Sequence, residues 1–141
     1  MAPTGRPHPE QLTQELKFVL RAGTRPAAVV RLLGSMPLLV GHCSSNDLPV
    51  DAWQAAVEIC HQVSRATRHL GTGPYGSAAM AVFGATSATR GLRLGRRRAE
   101  AARFLQVEEA TFVRHWEGRI RTDVAAILAF GDQLLYLDDD D

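Results

Sequence analysis

Apolar residues at helical spacing run almost unbroken through the last third of the chain. Phe112, Trp116, Ile120, Val124, Ile127 and Leu128 recur at three- and four-residue steps down to Phe130, ahead of Gly131. No segment alternates apolar and polar residues as a half-buried strand does. A chain with the helical period and no period of two buries its stripes by packing helix on helix. The expectation is an all-α fold of about six helices around one core, with a helix-turn-helix-like pair followed by a long C-terminal helix. At 141 residues, 45% of them hydrophobic, there is apolar material for one core and not for two.

The punctuation divides the chain accordingly. Residues 1–9 hold Pro3, Pro7 and Pro9 and read as a flexible N-terminal arm. Residues 10–131 read as a single helical domain, its helix-turn-helix-like part over about 94–130, and residues 132–141 as an acidic C-terminal tail. The first helix is expected from Glu10 to Ala22, with Leu12, Leu16, Val19 and Leu20 on one face and Gly23 as its stop. Thr24 then caps a short helix, "RPAAVVRLL", closed by Gly34. The Pro, Gly, Ser and Asn of "SMPLLVGHCSSNDLP" mark a connection. A longer helix starts at Asp47 or Asp51 and ends at Gly71, with Trp53, Ala56, Cys60, Val63, Thr67 and Leu70 as its buried stripe. "SAAMAVF" before Gly84 is a short buried helix; the fifth spans Leu94 to Leu105 and the sixth begins near Glu108.

The stretch "AARFLQVEEATFVRHWE" has the spacing of two helices joined by a tight turn. Ala101 and Ala102 are small where a second helix must cross closely. Leu105 and Val107 flank the turn, and Phe112 packs back. Gln106 stands where glycine usually supplies a positive φ, so it bears strain or the turn differs. The groove-facing positions would be Glu108, Glu109, Ala110, Val113, Arg114 and Glu117. Three carboxylates and one guanidinium make that face −2, the same sign as a phosphate backbone.

Charge is unevenly spread behind a net +1. Residues 90–121 carry nine Arg against four Glu, whereas residues 122–141 carry six Asp and nothing basic. Arg93, Arg96, Arg97, Arg98 and Arg114 are the candidates for gripping phosphates or an acidic partner. The opposite reading has these arginines on a solvated face, paired with Glu100, Glu108 and the tail.

Over residues 90–128, "RLGRRRAEAARFLQVEEATFVRHWEGRIRTDVA" resembles a small all-helical module of actinobacterial proteins, often found beside regulatory or effector domains. Arg97, Arg98, Ala101, Ala102, Leu105, Val107, Thr111, Phe112, Arg114 and Glu117 carry the likeness; Gln106 and Glu108 depart from the turn pattern. The resemblance implies a regulatory or interaction module with no catalytic residues.

Other chemistry finds little footing. Adjacent ligands in "HC" at 42–43 and "CH" at 60–61 diverge rather than converge, so no metal site is expected. Ser44, Ser45, His42 and Asp47 lack a nucleophile elbow, and "GLRLG" and "GTGPYG" are too short to cradle phosphates. No cofactor and no small-molecule substrate is expected. "MAPTGRPHPE" lacks the apolar core of a secretory signal, and no apolar run approaches the roughly 20 residues of a membrane span. Cytoplasmic location is therefore the expectation. The surplus of apolar residues after Gly131 singles out Leu134, Leu135, Tyr136 and Leu137 as an interface to a protein partner, or to a second copy in a homodimer. The sequence thus points to a non-enzymatic regulatory or adaptor module binding protein through helical surfaces. The alternative is a DNA-binding regulator gripping phosphates through its Arg-rich helix.

Overall fold

A computed structural model of the chain describes the backbone of residues 8–43 and 51–139, and side chains as far as Gly131. All the regular structure among these residues is helical, and seven helices are present. They are α1 (Pro9–Ala22), α2 (Pro26–Val29, tightening into a 3-10 turn at Val30–Ser35), α3 (Pro37–Cys43), α4 (Ala52–Arg68), α5 (Pro74–Phe83), α6 (Leu94–Leu105) and α7. The last starts as Glu109–Thr111, widens into a π-type turn at Phe112–Trp116 and runs on as Glu117–Asp139. One contiguous core joins Leu12, Leu16 and Val19 of α1, Ile59 and Val63 of α4, Phe83 of α5, and Phe112, Ile120 and Val124 of α7. Helix α5 packs extensively on α6, and Ala78 and Ala79 of the first and Ala101 and Ala102 of the second are all buried.

The junction that holds these helices together is made by one side chain. Helices α1 and α5 end side by side, each leaving carbonyls with no partner inside its own helix. At the end of α1, Val19 O accepts from Gly23 N–H at 2.7 Å. At the end of α5, Met80 O and Ala81 O accept from Ala85 and Gly84, and Phe83 O accepts from Thr24 N–H at 3.0 Å. Three further carbonyls, Leu20 O, Arg21 O and Val82 O, face the Arg97 guanidinium. Nη1 donates to Leu20 O at 2.7 Å and to Val82 O, Nη2 donates to Arg21 O at 3.0 Å, and Nε donates to Leu92 O at 3.0 Å. The cation therefore sits at the negative ends of two helix dipoles. Gly84, at φ +71°, gives it room: a Cβ there would lie 3.2 Å from Arg97 Cδ.

Arg97 is 1% exposed and is among the largest fully buried side chains of the molecule. Its expected place among the phosphate-gripping arginines is thus corrected. Burial, with Arg25 and Arg98 nearby, lowers its pKa to about 10, which leaves it charged at neutral pH.

Several other expectations change for identifiable reasons. Thr24 does not cap α2. Its hydroxyl donates to Gly84 O at 2.9 Å, and Arg25 occupies the cap position with no side-chain hydrogen bond. The supposed connection after Ser35 contains α3, since Pro37 opens a helix rather than breaking one. Its cap comes from far away: Glu15 of α1 accepts from Leu38 and Leu39 N–H at 3.1 and 2.8 Å. Trp53 is 54% exposed, because the stripe of α4 is rotated toward Ala55, Ala56, Ile59, Cys60 and Val63. Gly131 does not end α7; the helix bends at Phe130 (φ −126°) and continues to Asp139, so the segment after residue 131 begins as helix. His42 Nε2 meets Leu128 O at 2.6 Å just before that bend.

Two stability measurements check this picture. Arg97→Met should lower urea-unfolding stability by about 3–5 kcal/mol, because buried carbonyls lose their donor; a loss below about 1 kcal/mol would contradict the junction. Gln106 adopts φ +57°. Gln106→Gly should raise stability by about 0.5–1 kcal/mol by removing the left-handed strain.

Candidate functional site

Helix α6, the turn Gln106–Glu108 and the start of α7 form the helix-turn-helix-like pair. Gln106 takes up the left-handed conformation at the end of α6, with Val107 N–H reaching back to Ala102 O at 3.1 Å. That six-residue closure is the Schellman pattern, with glutamine in the place glycine usually holds. Ala101 and Ala102 are buried, and Phe112 is fully buried.

The π-type turn decides what the crest displays. A wider turn at Phe112–Trp116 places the next inward position five residues on, at Glu117, rather than four residues on at Trp116. Glu117 is 7% exposed, so its expected place on the groove-facing surface is corrected. It holds Arg98 in a two-pronged ion pair, Oε1 accepting from Nε at 2.6 Å and Oε2 from Nη2 at 2.8 Å. The hydrogen bonds to Glu117 raise the pKa of Arg98. Trp116 is turned instead toward Tyr75, their ring centroids 6.1 Å apart, and Arg119 lies over both rings at 5.3 and 5.5 Å. Tyr75 donates its hydroxyl to Asp123 at 2.5 Å; burial, reinforced by that carboxylate, pushes the phenol pKa up.

The arginine cluster therefore divides. Arg97 is buried in the core and Arg98 is committed to Glu117 across the pair. Arg93, Arg96 and Arg114 are exposed, as are Arg90 and Arg103, the last paired with Glu100 at 3.0 Å. Around the turn, Glu108, Glu109, Ala110, Val113 and Arg114 remain exposed, and Phe104 at the end of α6 is 48% exposed. Without Glu117 the charge of this face is −1, two carboxylates against one guanidinium.

The interface candidates Leu134, Leu135, Tyr136 and Leu137 fall in the last part of α7, and their side chains lie outside the described residues. Ser44, Ser45 and Asp47 lie outside them as well. Cys43 and Cys60 are buried, free thiols, and burial pushes both up to about 12. Among the described residues no group of three or more His, Cys, Asp or Glu could hold a metal ion. Among them, too, no single helix is long and apolar enough to cross a membrane.

Sequence reasoning missed the π-type turn, the Arg98–Glu117 pair and the Tyr75–Trp116–Arg119 stack. The first has no signature in residue types, and the others follow from it. Comparisons with protein-family models, with curated proteins and with solved structures found no match.

A double-mutant cycle tests the pair. Arg98→Met and Glu117→Leu should each cost about 1–3 kcal/mol, and the double variant should recover about 1–2 kcal/mol of their sum; additive losses would mean the two side chains are uncoupled.

Proposed function

We propose that this chain is a non-enzymatic regulatory or adaptor module that binds a protein partner through the crest of its helix-turn-helix-like pair. One observation carries the reading: the two central arginines of the Arg-rich helix are engaged by the molecule's own groups. Arg97 donates to main-chain carbonyls, and Arg98 is held by Glu117. The crest offers apolar Phe104, Ala110 and Val113 beside Glu108 and Glu109. Exposed apolar anchors edged by charge are the make-up of a protein-binding patch. Phosphates would meet two carboxylates at the start of α7, where a helix could otherwise have received them.

The competing reading, a DNA-binding regulator, draws on exposed Arg93, Arg96 and Arg114. Three cations without a reading face give weak association that salt abolishes.

Two measurements distinguish them. Labelled duplexes of random sequence should show no retention at moderate salt, and a preferred sequence that survives it would overturn the proposal. A photo-crosslinking residue at position 113 should yield polypeptide adducts in the source cell, and Phe104→Glu should reduce them by about tenfold, the usual weight of a buried aromatic anchor. Adducts to nucleic acid alone would reject the adaptor reading.

A further inference from the structure

One aromatic pair stands outside the crest. Tyr75, in the first turn of α5, and Trp116, in the π-type turn of α7, have ring centroids 6.1 Å apart and planes inclined at 53°. Rings inclined in this way can turn their faces toward one point, and a cation already lies there. Arg119 Cζ is over both faces, 5.3 Å from the tyrosine centroid and 5.5 Å from the tryptophan centroid. Asp123 adds a carboxylate to the same cluster, accepting from the Tyr75 hydroxyl at 2.5 Å.

The backbone holds both rings in place. A Cβ on Gly76 would lie 2.0 Å from Gly71 O, so the turn after α4 packs directly on the first turn of α5, which carries Tyr75. The π-type turn sets Trp116: it moves the inward position to Glu117 and leaves the indole facing Tyr75. Widened turns of this kind give up regular helix bonding and recur at functional sites. Neither ring is fully buried, and Arg119 is exposed, so the cluster is open to a ligand.

Little holds Arg119 over the rings. It has no ion pair with Asp123 or with any other carboxylate among the described residues. Because the side chain is exposed, its head can swing into water without opening the core. What replaces it best follows from what the cluster lacks. Ring faces attract positive charge but offer few acceptors, and Asp123 Oδ2 is already taken by Tyr75. A primary ammonium group pressed against them would give up water without recovering its hydrogen bonds. Arg119 avoids that cost by keeping its donors in solvent. A quaternary ammonium group has no N–H to satisfy, and its methyl groups bury apolar surface against the rings.

We propose that the Tyr75–Trp116 pair, with Asp123 beside it, binds a quaternary ammonium group, and that Arg119 is the internal cation this group displaces. The rings contact the methyl groups, and the Asp123 carboxylate supplies the opposite charge. Such a group comes on a trimethylated lysine of a partner polypeptide or on a free small molecule. The site shares no residue with the helix-turn-helix crest, and either proposal can fail without the other.

The indole N–H signals of the full chain, followed by NMR, test it, with exposed Trp53 of α4 as the reference. Tetramethylammonium chloride should move Trp116 saturably and leave Trp53 in place, and sodium chloride at the same concentration should move neither. Arg119→Ala should bind tetramethylammonium at least about threefold more tightly, since the internal cation is gone. Asp123→Asn should bind it about threefold more weakly. Tyr75→Leu should lose the Trp116 response while circular dichroism shows its helix content kept. Choline and a peptide with one trimethyllysine separate the two sources: tighter binding of the peptide assigns the group to a partner polypeptide, and the reverse to a small molecule. Trp116 unmoved in both wild type and Arg119→Ala would overturn the proposal. So would an Arg119→Ala affinity no higher than that of wild type, or an unmodified lysine peptide that binds as tightly as the trimethylated one.

Discussion

Two helices that end against each other have to satisfy their last carbonyls within a dry space, and in this molecule a guanidinium does it. Arg97 brings a planar fork of donors to the ends of α1 and α5 and, through Leu92 O, to the loop that leads into its own helix. A buried charge costs several kcal/mol unless its hydrogen bonds are met, and here four are. The requirement propagates outward. Gly84 has to lack a side chain, Thr24 bridges to Phe83 and Gly84, and buried alanines lie on both α5 and α6. The position of α6, and with it the helix-turn-helix-like pair, follows from where Arg97 is held.

The second constraint acts one turn further along. The π-type turn in α7 carries Glu117 inward and Trp116 sideways. Glu117 then ties α7 to α6 through Arg98, while Trp116 joins Tyr75 in supporting Arg119. Charge is sorted by this change of register: Glu117 is withdrawn from the surface that would have met DNA, and it holds Arg98. An apolar and mildly acidic crest remains.

The all-helical architecture was legible because it rests on periodicity, which survives without knowledge of neighbours. The span of α6 and the end of α1 match the residues that periodicity and glycine mark. At Gln106 the spacing left two options, strain or a different turn, and the residue takes the first, at φ +57°. What could not be read depends on partners distant in sequence. Arg97 looks like Arg96 and Arg98 until α1 and α5 are placed around it. Pro37 reads as a breaker until Glu15 is seen capping the helix it starts. The candidate site was half legible: Arg93, Arg96 and Arg114 are on the surface as expected, whereas Arg97 and Glu117 are buried and Arg98, partly exposed, is held by Glu117. A run of arginines states a quantity of charge; burial decides where it goes.

The claim that the Arg-rich helix is built into the core, and not presented to an anion, can be read directly from its side-chain protons. Nitrogen-edited NMR of the arginine guanidinium groups should show Arg97 with separate, slowly exchanging N–H signals that duplex DNA leaves unmoved. Arg96, exposed on the same helix, should show only fast-exchanging, averaged signals. An Arg97 spectrum indistinguishable from that of Arg96, or one that shifts as duplex is added, would contradict the account.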